Sequence, residues 1–228
     1  MRDHSNVLLA LRAGKLPRNR HTVRVLLSAA AIGVSLLLLT GYTYWPRSPI
    51  ALASGENMNR AGLYASWKKG EVVVLVRHGE RCDRSDKECL GPDDGITRNG
   101  NQASAEVGRS LSQLGLDQTD VIASPSTRTE QTAAALFGHP VASQDWLFDC
   151  EKMNLGRVMA HKANDRNLVV VTHSGCIGQI EKEQGYPHAD NSEYDSAVFI
   201  SLDKRSRPVI RGVLNPEDWK QLAMKEGK

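Results

Sequence analysis

The strongest constraint on the fold is a continuous apolar run, 72–76, that ends directly in Arg77, His78, Gly79 and Glu80. A valine-rich run without polar alternation is typical of a strand buried on both faces, as in a parallel sheet. Ligand sites in open α/β sheets form beyond the carboxyl ends of the strands. Arginine offers an anion a permanent charge and a planar fork, and histidine offers a nitrogen that attacks or transfers a proton. The run therefore predicts a phosphate site at the end of a buried strand.

Two further apolar runs end in the same kinds of residue. The run 168–172 leads to His173, and the run 121–123 leads through a serine- and threonine-rich turn to Arg128. Parallel strands have their carboxyl ends at one edge of the sheet. The sequence therefore predicts that these two side chains lie beside Arg77 and His78.

Strands and helices alternate along most of the chain. This alternation predicts a three-layer α/β/α sandwich with a mostly parallel sheet. The predicted strands are 72–76, 120–123, 168–172, 197–202 and 208–212, and the predicted helices are 58–69, 97–113, 126–137, 152–163 and 175–184.

Three motifs in this order resemble the histidine phosphatase superfamily over residues 71–202. They are RHGE after the first strand, the turn ending in Arg128 before TEQTA, and VVVTH before the last helix of the pattern. RHGERCDRS, GITRNGNQ and the cysteine positions resemble more closely the periplasmic lipopolysaccharide core heptose(II)-phosphate phosphatases. The resemblance implies phosphomonoester hydrolysis through a phosphohistidine, acting on a core heptose. It implies His78 as the nucleophile, with Arg77, Arg128 and His173 around the phosphate.

The general acid is the least determined residue of the predicted site. The leaving alkoxide needs a proton, and members of this superfamily often use a carboxylate between the second arginine and the second histidine. Glu151 is the predicted acid, and Asp149 lies in the same interval. Glu80 and Asp83, next to the nucleophile, are the alternatives.

Further contacts to the substrate are predicted from Arg81, Arg84 and Ser174. The two arginines either bind a second anionic group of the substrate or remain solvated loop charges. A protonated His173 and the arginines are expected to neutralise the phosphoryl oxygens, so neither metal nor other cofactor is predicted. A net charge of +3, without a long basic run, gives no indication of nucleic-acid binding. The alternatives are another phosphomonoester or phosphohistidine phosphatase, or a non-catalytic phosphate-binding module.

The N-terminal region predicts attachment to the inner membrane. Residues 1–24 form a basic arm expected in the cytoplasm, and residues 25–45 form an uncharged signal anchor that ends in aromatic residues. Residues 46–57 are predicted as a linker, and 58–228 as the domain in the periplasm. The alternative is a signal peptide cleaved at 51–53, an Ala-Leu-Ala sequence, which leaves a soluble periplasmic protein.

Four cysteines follow the predicted anchor, at 82, 89, 150 and 176. An even number in an exported domain indicates disulfides. The first two are the easiest pair to close across a polar loop, which leaves the last two as the other pair. The sequence leaves the connectivity open.

Overall fold

The computed structural model describes residues 20–45 and 47–220, without the side chain of Thr22. The chain divides into two compact units, Met1–Trp45 and Pro46–Lys228. The described part of the first unit is a single helix, α1 (Arg20–Tyr44), on which every described side chain is exposed. Its segment Val23–Tyr44 is long and apolar enough to cross a membrane. Most of the predicted basic arm lies outside the described residues.

The second unit is built on a five-stranded sheet with the strand order β2-β3-β1-β4-β5. The strands are β1 (Val72–Arg77), β2 (Thr119–Ala123), β3 (Asn167–Thr172), β4 (Ala197–Leu202) and β5 (Pro208–Leu214). Neighbours β1, β2 and β3 are parallel, whereas β4 is antiparallel to β1 and to β5. The sheet is therefore mixed, with β4 alone running against the other four strands.

The helices lie close to their predicted positions. They are α2 (Asn57–Arg60), α3 (Leu63–Lys68), α4 (Arg98–Ser112), α5 (Thr127–Phe137), α6 (Leu155–Ala160) and α7 (Ser174–Glu183). The helix predicted over 58–69 is two helices, because Gly62 between them has φ 69°. The helix predicted over 152–163 is only six residues long. It begins at Leu155, because Asn154 caps the first turn by accepting from the Arg157 N–H, and it ends at Ala160.

Helices cover both faces of the sheet, which confirms the predicted three layers. Residues Val72, Val74 and Val76 of β1 face one hydrophobic cluster, with side chains from α2 to α5. Residues Val73 and Leu75 face the other cluster, with side chains from α6 and α7. The five apolar residues of β1, 72–76, are all buried, as the unbroken apolar run predicts.

Part of the predicted linker 46–57 is folded onto the domain. Leu52 and Ala53 are buried, and Ala51 bridges to Val213 of β5. The Leu52 N–H donates to the Val213 carbonyl at 2.9 Å, and the Val213 N–H donates to the Ile50 carbonyl at 2.9 Å. This segment therefore continues the sheet edge, a long-range pairing that its proline and glycine content does not indicate.

Candidate active site

Three strand ends bring the predicted site residues together. Arg77 ends β1 in register with Thr172 at the end of β3, and His78 donates its backbone N–H to the Thr172 carbonyl at 3.0 Å. His173 follows as the N-cap of α7. Arg128 lies in the first turn of α5, which begins four residues after β2 ends. The sheet order places β3 between β1 and β2, so the three ends are neighbours.

His78 is held as a neutral imidazole with a defined tautomer. Its side chain is buried, and its Nδ1 lies 2.8 Å from the Gly79 carbonyl. Since a carbonyl only accepts, Nδ1 carries the proton and Nε2 keeps its lone pair. Burial lowers the pKa of His78 to about 3, with His173, Arg128 and Arg77 adding to the effect. A neutral histidine with a free Nε2 is the form that attacks phosphorus.

His173 is also neutral in the free site, whereas its predicted protonated form concerns the bound phosphoryl group. Burial, then the charges of Arg128 and Arg81, lower its pKa to about 4. Its ring centroid lies 5.5 Å from that of His78 in an edge-on arrangement. Arg128 Nη2 donates to its Nδ1 at 3.4 Å, so Nε2 carries the proton and donates to Ser124 Oγ at 3.0 Å.

The two arginines of the site keep part of their donor capacity free. Arg77 donates Nη1 to the Ser192 carbonyl. The Nε atoms of Arg77 and Arg128 are buried and have no hydrogen-bond partner among the described residues. Burial is the first cause that lowers the pKa of each guanidinium. Because an unpaired buried donor costs free energy, these groups are suited to an anionic ligand that satisfies them.

The loop after His78 adds further positive charge at the site. Arg81 donates Nε to Asp83 Oδ1 at 2.7 Å, and Arg84 is exposed in a short 3-10 turn, Cys82–Arg84. Both side chains act electrostatically on Arg77 and Arg128. They are therefore near the arginines of the pocket, although Arg81 forms an ion pair with Asp83.

Two disulfides hold the segments around the site, and they settle the connectivity that the sequence leaves open. Cys82–Cys89 closes the loop that carries Arg84, with Cα atoms 5.4 Å apart. Cys150–Cys176 joins the segment before α6 to the first turn of α7, with Cα atoms 4.5 Å apart. The second bond starts three residues after His173, so it fixes the helix that this histidine caps. Ser174 is the first residue of that helix and is half-buried.

The carboxylates predicted as general acids are exposed or already hydrogen-bonded in the structure. Glu151 is exposed, and its backbone N–H binds the Asp149 carboxylate. Hydrogen bonding from Lys152 is the main cause that lowers the pKa of Asp149, and from Arg81 that of Asp83.

Glu80 belongs to a structural network instead of the pocket. Its carboxylate accepts from Lys87 Nζ at 3.0 Å and from Thr97 Oγ1 at 2.8 Å. These bonds outweigh partial burial and keep the pKa of Glu80 below its usual value. An ionised, fully bonded carboxylate does not donate a proton to a leaving group.

Four residues of the site were not predicted from the sequence. Ser124 and Thr132 bond the His173 ring and the Gly79 N–H, the latter at 2.8 Å. Tyr194 lies with its ring centroid 5.8 Å from that of His78, and Arg77 Cζ is 4.0 Å from the Tyr194 centroid. Asp195 is buried behind Gly79 and accepts from Ser104 Oγ at 2.6 Å. Ser124 follows β2 directly, so position at a strand end could have indicated it.

Metal ligation has no candidate set in the part of the chain that the structure describes. Within residues 20–45 and 47–220, no three or more His, Cys, Asp or Glu side chains are grouped so as to hold a metal ion. The positive charge around the pocket comes from side chains.

Comparison with known sequences gives a consistent family. A sequence model of the histidine phosphatase superfamily (branch 1) matches residues 73–147. A lipopolysaccharide core heptose(II)-phosphate phosphatase of Salmonella schwarzengrund (strain CVM19633) is 30% identical over 176 residues, which cover 75% of this chain and 85% of the relative. The enzyme of the same name from Escherichia coli O157:H7 is 28% identical over 180 residues, 78% of this chain and 84% of that protein.

Solved structures share the fold. A phosphoglycerate mutase from Bacillus anthracis str. Sterne superposes with a TM-score of 0.50 at 14% identity, covering 68% of this chain and 98% of the mutase. A likeness at this identity concerns the architecture of the domain and carries nothing about its substrate.

Proposed function

This chain belongs to the histidine phosphatase superfamily, in the family of the lipopolysaccharide core heptose(II)-phosphate phosphatases, and we propose that it removes a phosphate from a core heptose through a phosphohistidine on His78. The observation that carries the proposal is the neutral, buried His78. Its Nδ1 is bound to the Gly79 carbonyl, which leaves Nε2 free to attack.

In the first step, Nε2 of His78 attacks phosphorus in line and the P–O bond to the sugar breaks. Phosphoryl transfer depends mostly on position and on neutralisation of the equatorial oxygens. Arg77, Arg128 and His173 are the groups that surround those oxygens. The unpaired Nε donors of both arginines support this role. In the second step, water attacks the phosphohistidine and releases inorganic phosphate.

The phosphate dianion is expected to change the state of His173. Without ligand, burial and then the positive charge of Arg128 keep this imidazole neutral. A bound dianion places negative charge against both residues, which favours the protonated imidazole. The proposed clamp is thus two permanent charges and one histidine that is charged only with ligand present.

We propose that Arg81 and Arg84 bind a second anionic group of the substrate, and that Ser174 contacts the phosphate. The arginines lower the pKa of Arg77 and Arg128 after the larger effect of burial, which indicates an excess of positive charge in the free site. A substrate with two anionic groups removes that excess better than a simple monoester does.

We also propose that the enzyme works in the periplasm, held in the inner membrane by α1. The membrane-length segment Val23–Tyr44 and the two disulfides support this arrangement. Disulfides form and persist in oxidising compartments such as the periplasm.

The test is phosphate release by the purified full chain in detergent, from core oligosaccharide that carries heptose phosphate. The control substrate is the same oligosaccharide after chemical dephosphorylation. We expect release in the presence of EDTA, with His78→Ala inactive but folded by circular dichroism. A labelled phosphodonor should leave acid-labile phosphate on His78. Turnover by the alanine variant would exclude the phosphohistidine, and activity on simple phosphomonoesters alone would exclude the heptose substrate.

A further inference from the structure

Tyr194 places at the site a hydroxyl that the mechanism above does not use. The residue lies in the loop just before β4 and is half-buried. Its ring is tilted by 44° to the His78 ring, with centroids 5.8 Å apart. Arg77 Cζ is stacked over the same ring at 4.0 Å. The phenol is thus held between the nucleophile and one of the phosphate-binding arginines.

Three carboxylates that the structure describes around the pocket are poorly suited to donate the proton. Glu80 is ionised and bonded to Lys87 and Thr97. Asp83 pairs with Arg81. Burial raises the pKa of Asp195 to about 7, but this residue is only 1% exposed and its carboxylate accepts from Ser104 Oγ at 2.6 Å.

We propose, on the basis of the function above, that Tyr194 is the general acid. As the P–O bond to the sugar breaks, the Tyr194 hydroxyl gives its proton to the leaving oxygen, and the phosphoryl group becomes bonded to His78 Nε2. The phenolate that remains then takes a proton from the water that attacks the phosphohistidine. The N–P bond breaks, and phosphate and the Tyr194 hydroxyl are restored, so each proton is accounted for.

The surroundings of Tyr194 suit a transient phenolate. Arg77 and Arg81 both interact electrostatically with its oxygen. For Arg77, burial lowers the pKa and Tyr194 is the largest influence that raises it. For Arg81 the bond to Asp83 raises the pKa first, and Tyr194 adds to it. Arg77 and Arg81 are therefore permanent positive charges beside the oxygen on which negative charge develops in the proposed step.

The test is Tyr194→Phe, which keeps the ring under Arg77 and removes only the hydroxyl. It is assayed as kcat/KM on a primary alkyl phosphate and on 4-nitrophenyl phosphate. The ratio kcat/KM reports transfer to His78 and is insensitive to later hydrolysis of the phosphohistidine. An alkoxide needs a proton as it leaves and a nitrophenolate does not. We expect a loss of about a hundredfold or more on the alkyl ester, the range for a general acid, and about threefold at most on the aryl ester.

Two control variants separate the other outcomes. Tyr186 lies past the carboxyl end of α7, and Tyr186→Phe should leave kcat/KM unchanged on both substrates. Glu151→Gln should lose activity to the same small extent on both. An equal loss on both esters in Tyr194→Phe would show a positioning role and overturn the proposal. A loss confined to the alkyl ester in Glu151→Gln would assign the proton to Glu151 instead. If the wild-type chain hydrolyses neither ester nor the core oligosaccharide, the proposed function itself fails.

Discussion

At the scale of single residues, the state of His78 is decided by two opposed effects. The hydrogen bond from Nδ1 to the Gly79 carbonyl favours the charged form and raises the pKa. Burial and three neighbouring positive or basic groups oppose it, and they prevail, since the pKa falls to about 3. The same burial that makes the nucleophile reactive therefore costs stability whenever the solution is acidic enough to charge an unfolded histidine.

We predict that His78→Asn reduces the acid sensitivity of the fold. The unfolded histidine takes up a proton near pH 6.5, while the folded one does so only near 3. Stability linked to His78 is therefore complete above pH 6.5 and is lost as the pH falls toward 3, by roughly 1.4 kcal/mol per pH unit. Urea unfolding at pH 7 and pH 4.5 should show the variant gaining about 3 kcal/mol on the wild type between the two values. Parallel pH dependence in both proteins would contradict a buried neutral His78.

We predict that Arg128→Ala lowers kcat/KM on a phosphomonoester by about a hundredfold or more, the effect of removing one clamp on transition-state charge. Arg128→Lys should recover only part of this loss, because lysine lacks the planar fork. Arg205→Ala removes an exposed arginine and is the matched control for the change in net charge. Equal activity of Arg128→Ala and Arg205→Ala would show that Arg128 does not stabilise the transition state.

At the scale of elements, α4 and α5 pack with their backbones in close approach. A Cβ at Gly108 of α4 would overlap the Leu136 carbonyl of α5. Gly100 lies nearer the start of the same helix and packs against the loop after His78. A Cβ added there would be 2.8 Å from the Glu80 backbone nitrogen. These glycines let α4 lie against both α5 and the loop after His78, so the helix contributes to the position of the site.

We predict opposite effects of the same substitution in two helices. Gly108→Ala should lower the free energy of unfolding by about 2 kcal/mol or more, because backbone and not a flexible side chain must move. Gly178→Ala in α7 meets nothing within 4 Å and should raise it by up to about 1 kcal/mol through helix propensity. Denaturant unfolding of both variants checks this. A neutral Gly108→Ala would mean that α4 and α5 are further apart than described.

The parts of the structure that depend on neighbouring residues in the sequence were predictable, whereas those that depend on contacts between distant residues were not. The three parallel strands are predictable because each is an unbroken apolar run in the sequence. The site residues that lie at the ends of these runs or shortly after them are predictable for the same reason: Arg77, His78, Arg128 and His173. Tyr194 does not, because it follows a polar stretch without periodicity and reaches the site only through the antiparallel direction of β4. The exposure of Glu151 is likewise a property of the fold.

At the scale of the whole molecule, the segment before the domain is part of its core. Leu52 is fully buried in the cluster that also contains Trp67 and Phe199. A Cβ at Gly212 of β5 would come within 2.7 Å of the Leu52 side chain, so the two are in tight contact. Cleavage after Ala53 would remove this side chain and both backbone bonds between the segment and Val213. The edge of β5 would then be left unpaired, a site where other chains add strands.

We therefore predict that the exported protein keeps residues 50–53, and with them the anchor that precedes them. Loss of a buried leucine costs about 2–5 kcal/mol, to which two backbone hydrogen bonds add about 1 kcal/mol each. A fragment 54–228 should consequently unfold at lower denaturant concentration than a fragment 46–228, and Leu52→Ala in the longer fragment should account for most of the difference. Ile50→Ala, which changes an exposed side chain, is the control. The intact mass of the protein recovered from cell envelopes gives the direct answer. An amino terminus at Ser54, with equal stability of the two fragments, would establish the cleaved form and exclude the anchor.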